Sequence, residues 1–264
     1  MPGQPSAHRR GPTPCRPIRG PGTSAGDVVG MTLRVSPRHM TDRRTDRTVI
    51  IVGHCAVPAR LPATRTELTM ATQQQIEVSP VTDEDRAIAT LTMAFSNDPV
   101  LRWVFRDPHV YLTYWARFVE AFGGAAFAKG TADSIDDHGG VALWLPPGVG
   151  PDEEAMAALA VKAVPPADQD ELFGFMGQMG EFHPTEAHWY LPLIGVDATK
   201  QGRGYGSALL RHALERCDRD RLPAYLEASS PLNKPLYARH GFEELGVIQA
   251  GNSPPMWPMQ RQPR

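Results

Sequence analysis

Only three cysteines occur in the 264 residues, Cys15, Cys55 and Cys217, and their spacing fits neither a disulfide framework nor a zinc cluster. The pattern suits a reducing compartment, and none of the three stands where a nucleophile would be expected. Long apolar runs are missing too. The longest early one, Val49 to Val52, falls far short of the roughly 20 residues of a membrane helix and is too short for a secretory signal. The expectation is a cytoplasmic protein with no membrane partner and no metal. Lysine is absent from residues 1–70, which hold eleven arginines and four acidic residues, net +7, whereas the rest of the chain is net −9.

That asymmetry divides the chain. Residues 1–69 are basic, rich in Pro and Arg and without amphipathic period, so they read as a disordered leader that cannot bury enough surface to fold alone. Three readings stand open: an over-extended start before an ordinary beginning at Met70, a targeting segment, or a basic arm for nucleic acid. Nucleic acid is not the expected partner of the acidic remainder. From residue 70 onward one folded domain is expected, and the 41% hydrophobic content suffices for its core.

Within that part, strand and helix signals alternate, which argues for a mixed α/β fold. Ile76 to Ser79 reads as a strand, and a helix starts at Thr82 and ends at Asn97-Asp98-Pro99. A second helix runs from Tyr111 to Phe122. Asp136 to Gly140 turns between two strands, the second being Val141 to Leu145. Two helical runs separated by Pro165-Pro166 fill 152–183, and His188 to Val196 is a long apolar strand. Gln201 to Cys217 follows as a helix with Leu209, Leu210, Ala213, Leu214 and Cys217 on one stripe. Ala224 to Ala228, Asn233 to His240, Phe242 to Val247 and Met256 to Met259 add a strand, a short helix and two closing strands.

The turn Gln201-Gly202-Arg203-Gly204-Tyr205-Gly206 links a strand to a helix. Backbone N–H groups are free there, the helix dipole is positive and glycine removes obstructing β-carbons, so the turn suits a pyrophosphate. No Lys-Ser/Thr pair follows, which excludes a P-loop, and the spacing is not G-x-G-x-x-G, which excludes the dinucleotide fingerprint. An isolated run of this kind is equally a plain tight connection.

The same hexapeptide matches Q/R-x-x-G-x-G/A, and Asn233-Lys234-Pro235-Leu236-Tyr237-Ala238-Arg239-His240-Gly241-Phe242 matches N-x-x-x-x-Y-x-x-x-G-F. On these two blocks residues 76–260 resemble the GNAT superfamily of N-acetyltransferases. Trp189-Tyr190-Leu191, Gly195-Val196 and Pro223 to Ser229 resemble its puromycin acetyltransferase branch. The resemblance implies a single GNAT-type domain, with a mixed, mostly antiparallel sheet of six to seven strands, splayed central strands and flanking helices. It also implies acetyl-CoA as co-substrate. Leu193, Ile194 and Val196 would bind its pantetheine arm, Gln201, Gly202, Arg203, Gly204, Tyr205, Gly206 and Ser207 its pyrophosphate, and the Asn233 amide the arm again.

Acetyl transfer needs a neutral amine, a polarised thioester and a proton for the departing thiolate. Tyr237 stands at the family's acid position, and Glu227, a carboxylate in an apolar strand, is the candidate base, acting directly or through water. His188 is a second candidate base. The acceptor pocket is expected from the first two helices and the hairpin, where Trp103, Phe105, Tyr111, Tyr114, Trp115 and Trp144 cluster, and a small aromatic or antibiotic-like primary amine would suit it. A protein or peptide N-acetyltransferase and a non-catalytic acyl-CoA sensor are the competing functions. A homodimer stays open.

Overall fold

The structure, a computed structural model, describes residues 76–264. The expected leader, 1–69, and its boundary at residue 70 lie outside the described residues. One seven-stranded sheet forms the centre, in the order β1 (Val78–Pro80), β2 (Ala132–Ile135), β3 (Gly140–Leu145), β4 (Trp189–Val196), β5 (Ala224–Ala228), β7 (Trp257–Arg261) and β6 (Glu243–Glu244). Every pairing is antiparallel except β4 with β5.

Side-chain alternation along these strands builds two cores. Val141, Leu143 and Leu145 of β3, with Tyr190 and Tyr225, face α1 (Glu84–Ala94) and α3 (Pro108–Gly123). Ala142, Trp144, Leu226 and Ala228 face α7 (Tyr205–Asp220), whose stripe Leu209, Leu210, Ala213, Leu214 and Cys217 is buried as its periodicity predicts. Burial pushes the Cys217 thiol up to about 12, so it packs as a small hydrophobe. Arg216 joins α7 to β2 through two bonds to the buried Asp133, at 3.2 and 2.6 Å.

β4 breaks the alternation once. Leu143 pairs with Leu193 and Leu145 with Tyr190, so β4 holds one residue more than β3 over this stretch. The result is a bulge. Leu191 therefore packs on the α7 side and Leu193 on the α1 side, although strict alternation would put both on one face. Pro192, which has no N–H to give a ladder, sits inside the bulge.

Several boundaries differ from the sequence reading. The first strand is Val78–Pro80, and α1 is capped by Asp83, whose side chain accepts from Arg86 N, not by Thr82. Asp98-Pro99 ends one helix and begins the next: Asp98 caps α2 (Pro99–Val104), with Pro99 at its first turn. A further short helix, α4 (Ala125–Ala128), follows α3. The helix expected from Gln201 begins at Tyr205, because Gly202 and Gly204 adopt φ of 76° and 85°. A 3-10 turn, Ala198–Lys200, precedes them. The strand expected over 242–247 shrinks to Glu243–Glu244, and Gly246 beyond it lies against the Phe182 ring, 2.6 Å from a notional β-carbon. The helical pair around Pro165-Pro166 is present as α5 (Glu153–Ala163) and α6 (Pro166–Phe182), and α8 (Lys234–Arg239) falls where expected.

Gly195 is where α1 approaches β4 most tightly. A β-carbon there would lie 2.7 Å from Ala94 Cβ and 3.1 Å from Leu91 Cδ2. Gly195→Ala is expected to push α1 from the sheet and lower stability by about 1–3 kcal/mol, measurable by urea unfolding. An unchanged midpoint would show that α1 yields without cost.

Candidate active site

β4 and β5 pair only at Trp189 with Ala224 and Tyr190 with Tyr225. Beyond that point β4 runs on to Val196 and β5 to Ala228 without pairing to each other, so the sheet parts along its middle. A cleft of about 820 Å³ opens there. Leu193, Ile194, Glu227, Asn233 and Tyr237, five residues singled out from the sequence, line it together.

The parting brings groups from both faces of the sheet into one space. Tyr225 belongs to the α1 side and Glu227, two residues on, shares that face, whereas Tyr237 of α8 belongs to the α7 core. Glu227 has only 4% of its side chain exposed. Its Oε2 accepts a 2.8 Å bond from the Tyr190 hydroxyl, and its Oε1 has no partner among the described residues. A buried carboxylate oxygen without a donor is costly, and a ligand ammonium or water would satisfy it. Burial and the Glu227 charge push the Tyr190 and Tyr225 phenols well above the usual range.

Tyr237 is buried, and burial, with Asp98 nearby, raises its pKa and keeps its hydroxyl protonated. Asn233 stands at the N-cap of α8, yet its side chain makes no capping bond, which leaves the amide free toward the cleft. Asp98 itself lines the cleft. It accepts from Val100 N and Leu101 N at 3.0 and 3.1 Å and from Ser229 Oγ at 2.5 Å, which ties the start of α2 to the end of β5. Burial raises the Asp98 carboxyl above its ordinary value.

Val196 and the turn 201–207 lie outside the cleft lining. The Gln201 amide donates to the Val196 carbonyl at 3.2 Å, Tyr205 donates to Asp136 at 2.9 Å, and Arg203 reaches the Thr199 carbonyl. The first intrahelical bond of α7 is Ala208 N to Gly204 O, so the N–H groups of Tyr205, Gly206 and Ser207 have no helical acceptor, and Gly204 supplies no side-chain cap. The notional β-carbon of Gly202 meets nothing within 4 Å, and that of Gly206 would come within 3.2 Å of Leu236, the neighbour of Tyr237. An open donor turn thus abuts the helix that carries the phenol.

The cleft lining matches the expected acceptor pocket only in part. No residue of the β2–β3 hairpin lines the cleft, and of the six aromatics expected there only Phe105 does. Tyr111, Trp115 and Trp144 are core, and the Tyr111 hydroxyl is used on the Thr92 carbonyl. The expected helices do contribute, through Phe95 at the end of α1 and Phe118 and Phe122 of α3, and the walls are completed by Tyr190 and by Met156, Phe175, Met176 and Met179 from the α5–α6 pair. His183, at the end of α6, also reaches the cleft, with Nδ1 3.9 Å from Glu227 Oε1. Sequence reasoning missed His183 and Asp98: one follows a helix without period, and the other looked like a helix terminator.

Residues 153–263 match the model of the acetyltransferase (GNAT) domain. An uncharacterised N-acetyltransferase of Schizosaccharomyces pombe is 27% identical over 174 residues, 61% of this chain and 70% of that protein. A Corynebacterium glutamicum structure named as histone acetyltransferase HPA2 and related acetyltransferase is 27% identical, with TM-score 0.53, over 72% of this chain and 97% of that one. Arylalkylamine N-acetyltransferase 2 of Aedes aegypti shares the fold at 13% identity and TM-score 0.52, over 72% of this chain and all of that one (100%). The matched domain and the N-acetyltransferase relative mark an acetyl-transferring enzyme.

Asp98→Ala should remove both the α2 cap and the tie to Ser229, with a loss of about 0.5–2 kcal/mol, while Asp98→Asn keeps the acceptor oxygen and most of the stability. Thermal unfolding of the pair checks this. Equal losses in the two variants would assign the effect to charge instead of capping.

Proposed function

We propose that this GNAT-domain enzyme moves the acetyl group of acetyl-CoA to the primary amine of a small, largely apolar molecule, with Glu227 as base and Tyr237 as acid. The observation that carries the reading is the unpartnered Oε1 of the buried Glu227, set in an apolar cleft that Tyr237 enters from the other face of the sheet. Acetyl-CoA supplies the acyl group as an activated thioester. Leu193, Ile194 and Val196, on the strand edge that β5 leaves, and the Asn233 amide would hold the pantetheine arm. The donors of Gln201 to Ser207, with Arg203, would hold the pyrophosphate.

An amine reacts only as the neutral base, so the incoming ammonium must lose a proton. Glu227 takes it at Oε1, while Tyr190 holds Oε2 and fixes the carboxylate's orientation. Tyr237, kept protonated by burial, gives its hydroxyl proton to the departing sulfur and regains one from the nitrogen, which sheds its second proton as the amide forms. Aromatic and thioether walls exclude water and favour an aromatic or antibiotic-like amine over a strongly polar one. Resemblance to the puromycin acetyltransferase branch supports the same class.

A second reading, a protein or peptide acceptor, is favoured by the name of the C. glutamicum relative. Thiol release from acetyl-CoA with phenylethylamine and tryptamine, set against a lysine-containing histone-tail peptide, separates the two. Turnover on the peptide alone would overturn the small-amine reading.

Two further outcomes are expected. Tyr237→Phe keeps the ring and should lower kcat by roughly 10² to 10⁴, with acetyl-CoA affinity and Tm nearly unchanged; near-normal kcat would remove Tyr237 as the acid. Acetyl-CoA should raise the Tm of the wild type by mass action. Gly204→Asp, which puts a side chain and a negative charge at a φ of 85° beside the turn, should abolish that rise, and an undiminished shift would place the pyrophosphate elsewhere.

A further inference from the structure

We propose that His183 and His188 form a proton relay that carries the amine's proton from Glu227 to solvent and so resets the base after each turnover. The inference rests on the reading of Glu227 as base. A carboxylate with 4% of its side chain exposed needs a route by which its proton reaches bulk solvent. The two imidazoles lead away from it in series. Glu227 Oε1 faces His183 Nδ1 at 3.9 Å, His183 Nε2 lies 3.1 Å from His188 Nε2, and His188 Nδ1 lies 2.7 Å from the Glu186 carbonyl oxygen. Both rings are half-buried, and Glu186 is exposed, so the series ends at the surface.

The hydrogen positions follow from the last contact. A carbonyl oxygen only accepts, so His188 Nδ1 carries the hydrogen. In neutral His188 the Nε2 is then a lone pair, and the His183 Nε2 facing it is the donor. That leaves His183 Nδ1 as a lone pair turned toward Glu227 Oε1, in the tautomer that can receive a proton from it. The gap of 3.9 Å is longer than a direct hydrogen bond and is closed by a bridging water or a small ring rotation.

The transfer makes and breaks only O–H and N–H bonds. The proton leaves Glu227 Oε1 for His183 Nδ1, the Nε2 proton of His183 passes to His188 Nε2, and His188, now protonated on both nitrogens, gives one proton to solvent. Exchange with water at the exposed parts of both rings then returns the hydrogens to His183 Nε2 and His188 Nδ1 and restores the starting tautomers.

The surroundings hold both rings in place without trapping the charge. Tyr190 of β4 and Tyr225 of β5 stand edge-on to His183 at 4.8 and 5.0 Å. The titratable groups around the pair are Glu227 and Tyr225 of β5, Tyr190 of β4, and Glu186 before β4. Burial and the neighbouring His183 lower the His188 pKa, while Glu227 and Glu186 oppose that shift, so His188 returns its proton readily at neutral pH.

The test uses His183→Gln and His188→Gln in the full chain, with kcat read on whichever amine turns over, at fixed pH and rising imidazole buffer. The expected result is a kcat lowered roughly 10-fold or more in both variants and restored by imidazole, while the wild type ignores it. A loss that imidazole does not restore, at unchanged Tm, would make the histidines packing groups and overturn the relay, as would no loss at all. A measurement that needs no acceptor stands beside it: in Glu227→Gln the His188 ring resonances should titrate at lower pH than in the wild type, because the raising charge is gone. An unmoved midpoint overturns the coupling. Failure of phenylethylamine and tryptamine as acceptors would overturn the small-amine reading alone, because neither measurement depends on them.

Discussion

The separation of β4 from β5 after only two paired positions is the constraint on which everything else in this molecule depends. A closed sheet keeps its two cores apart. Here the opening lets a carboxylate from one face and a phenol from the other address the same space, and it leaves a strand edge free for an extended ligand. The bulge at Pro192 belongs to the same device. It shifts the alternation of β4 by one residue, so that Leu191 and Leu193 close opposite cores while the strand still borders the cleft.

The periodic parts of this arrangement were legible in the sequence. The stripe from Leu209 to Cys217 identified α7 because burial on one face demands that spacing, and Val141 to Leu145 identified β3 because a strand buried on both faces needs a continuous apolar run. Glu227 stood out as a carboxylate in such a run, and the glycine turn stood out through its spacing to Asn233 and Tyr237. The seven-stranded sheet with its parted centre agrees with the fold that the resemblance implied.

What escaped has physical causes as well. Asp98-Pro99 carries the chemistry of a helix cap and first turn, but the same residues in the order Asn-Asp-Pro also end helices. His183 follows α6 and meets Glu227 only because the chain returns through β4 and β5, a contact that no local pattern encodes. Within the expected helices the wrong aromatics stood out for a related reason: aromatic residues cluster in 103–115, but most of them fill the core between α1, α3 and the sheet, and Phe95, Phe118 and Phe122 line the cleft. The cleft draws on the Ala- and Met-rich helices α5 and α6, whose weak amphipathicity gave no sign of a lining role.

Met156, Met176, Met179 and Met256 all border the cleft, and this has a redox consequence. Unbranched thioethers adapt their shape, so one set of walls can close on acceptors of different outline. Met156, Met176 and Met179 are part-exposed and within reach of oxidants, whereas Met256 is buried, and each sulfoxide formed would put a polar, stereogenic group into an otherwise apolar wall. Adaptable shape and vulnerability to peroxide are therefore two aspects of one choice of side chain.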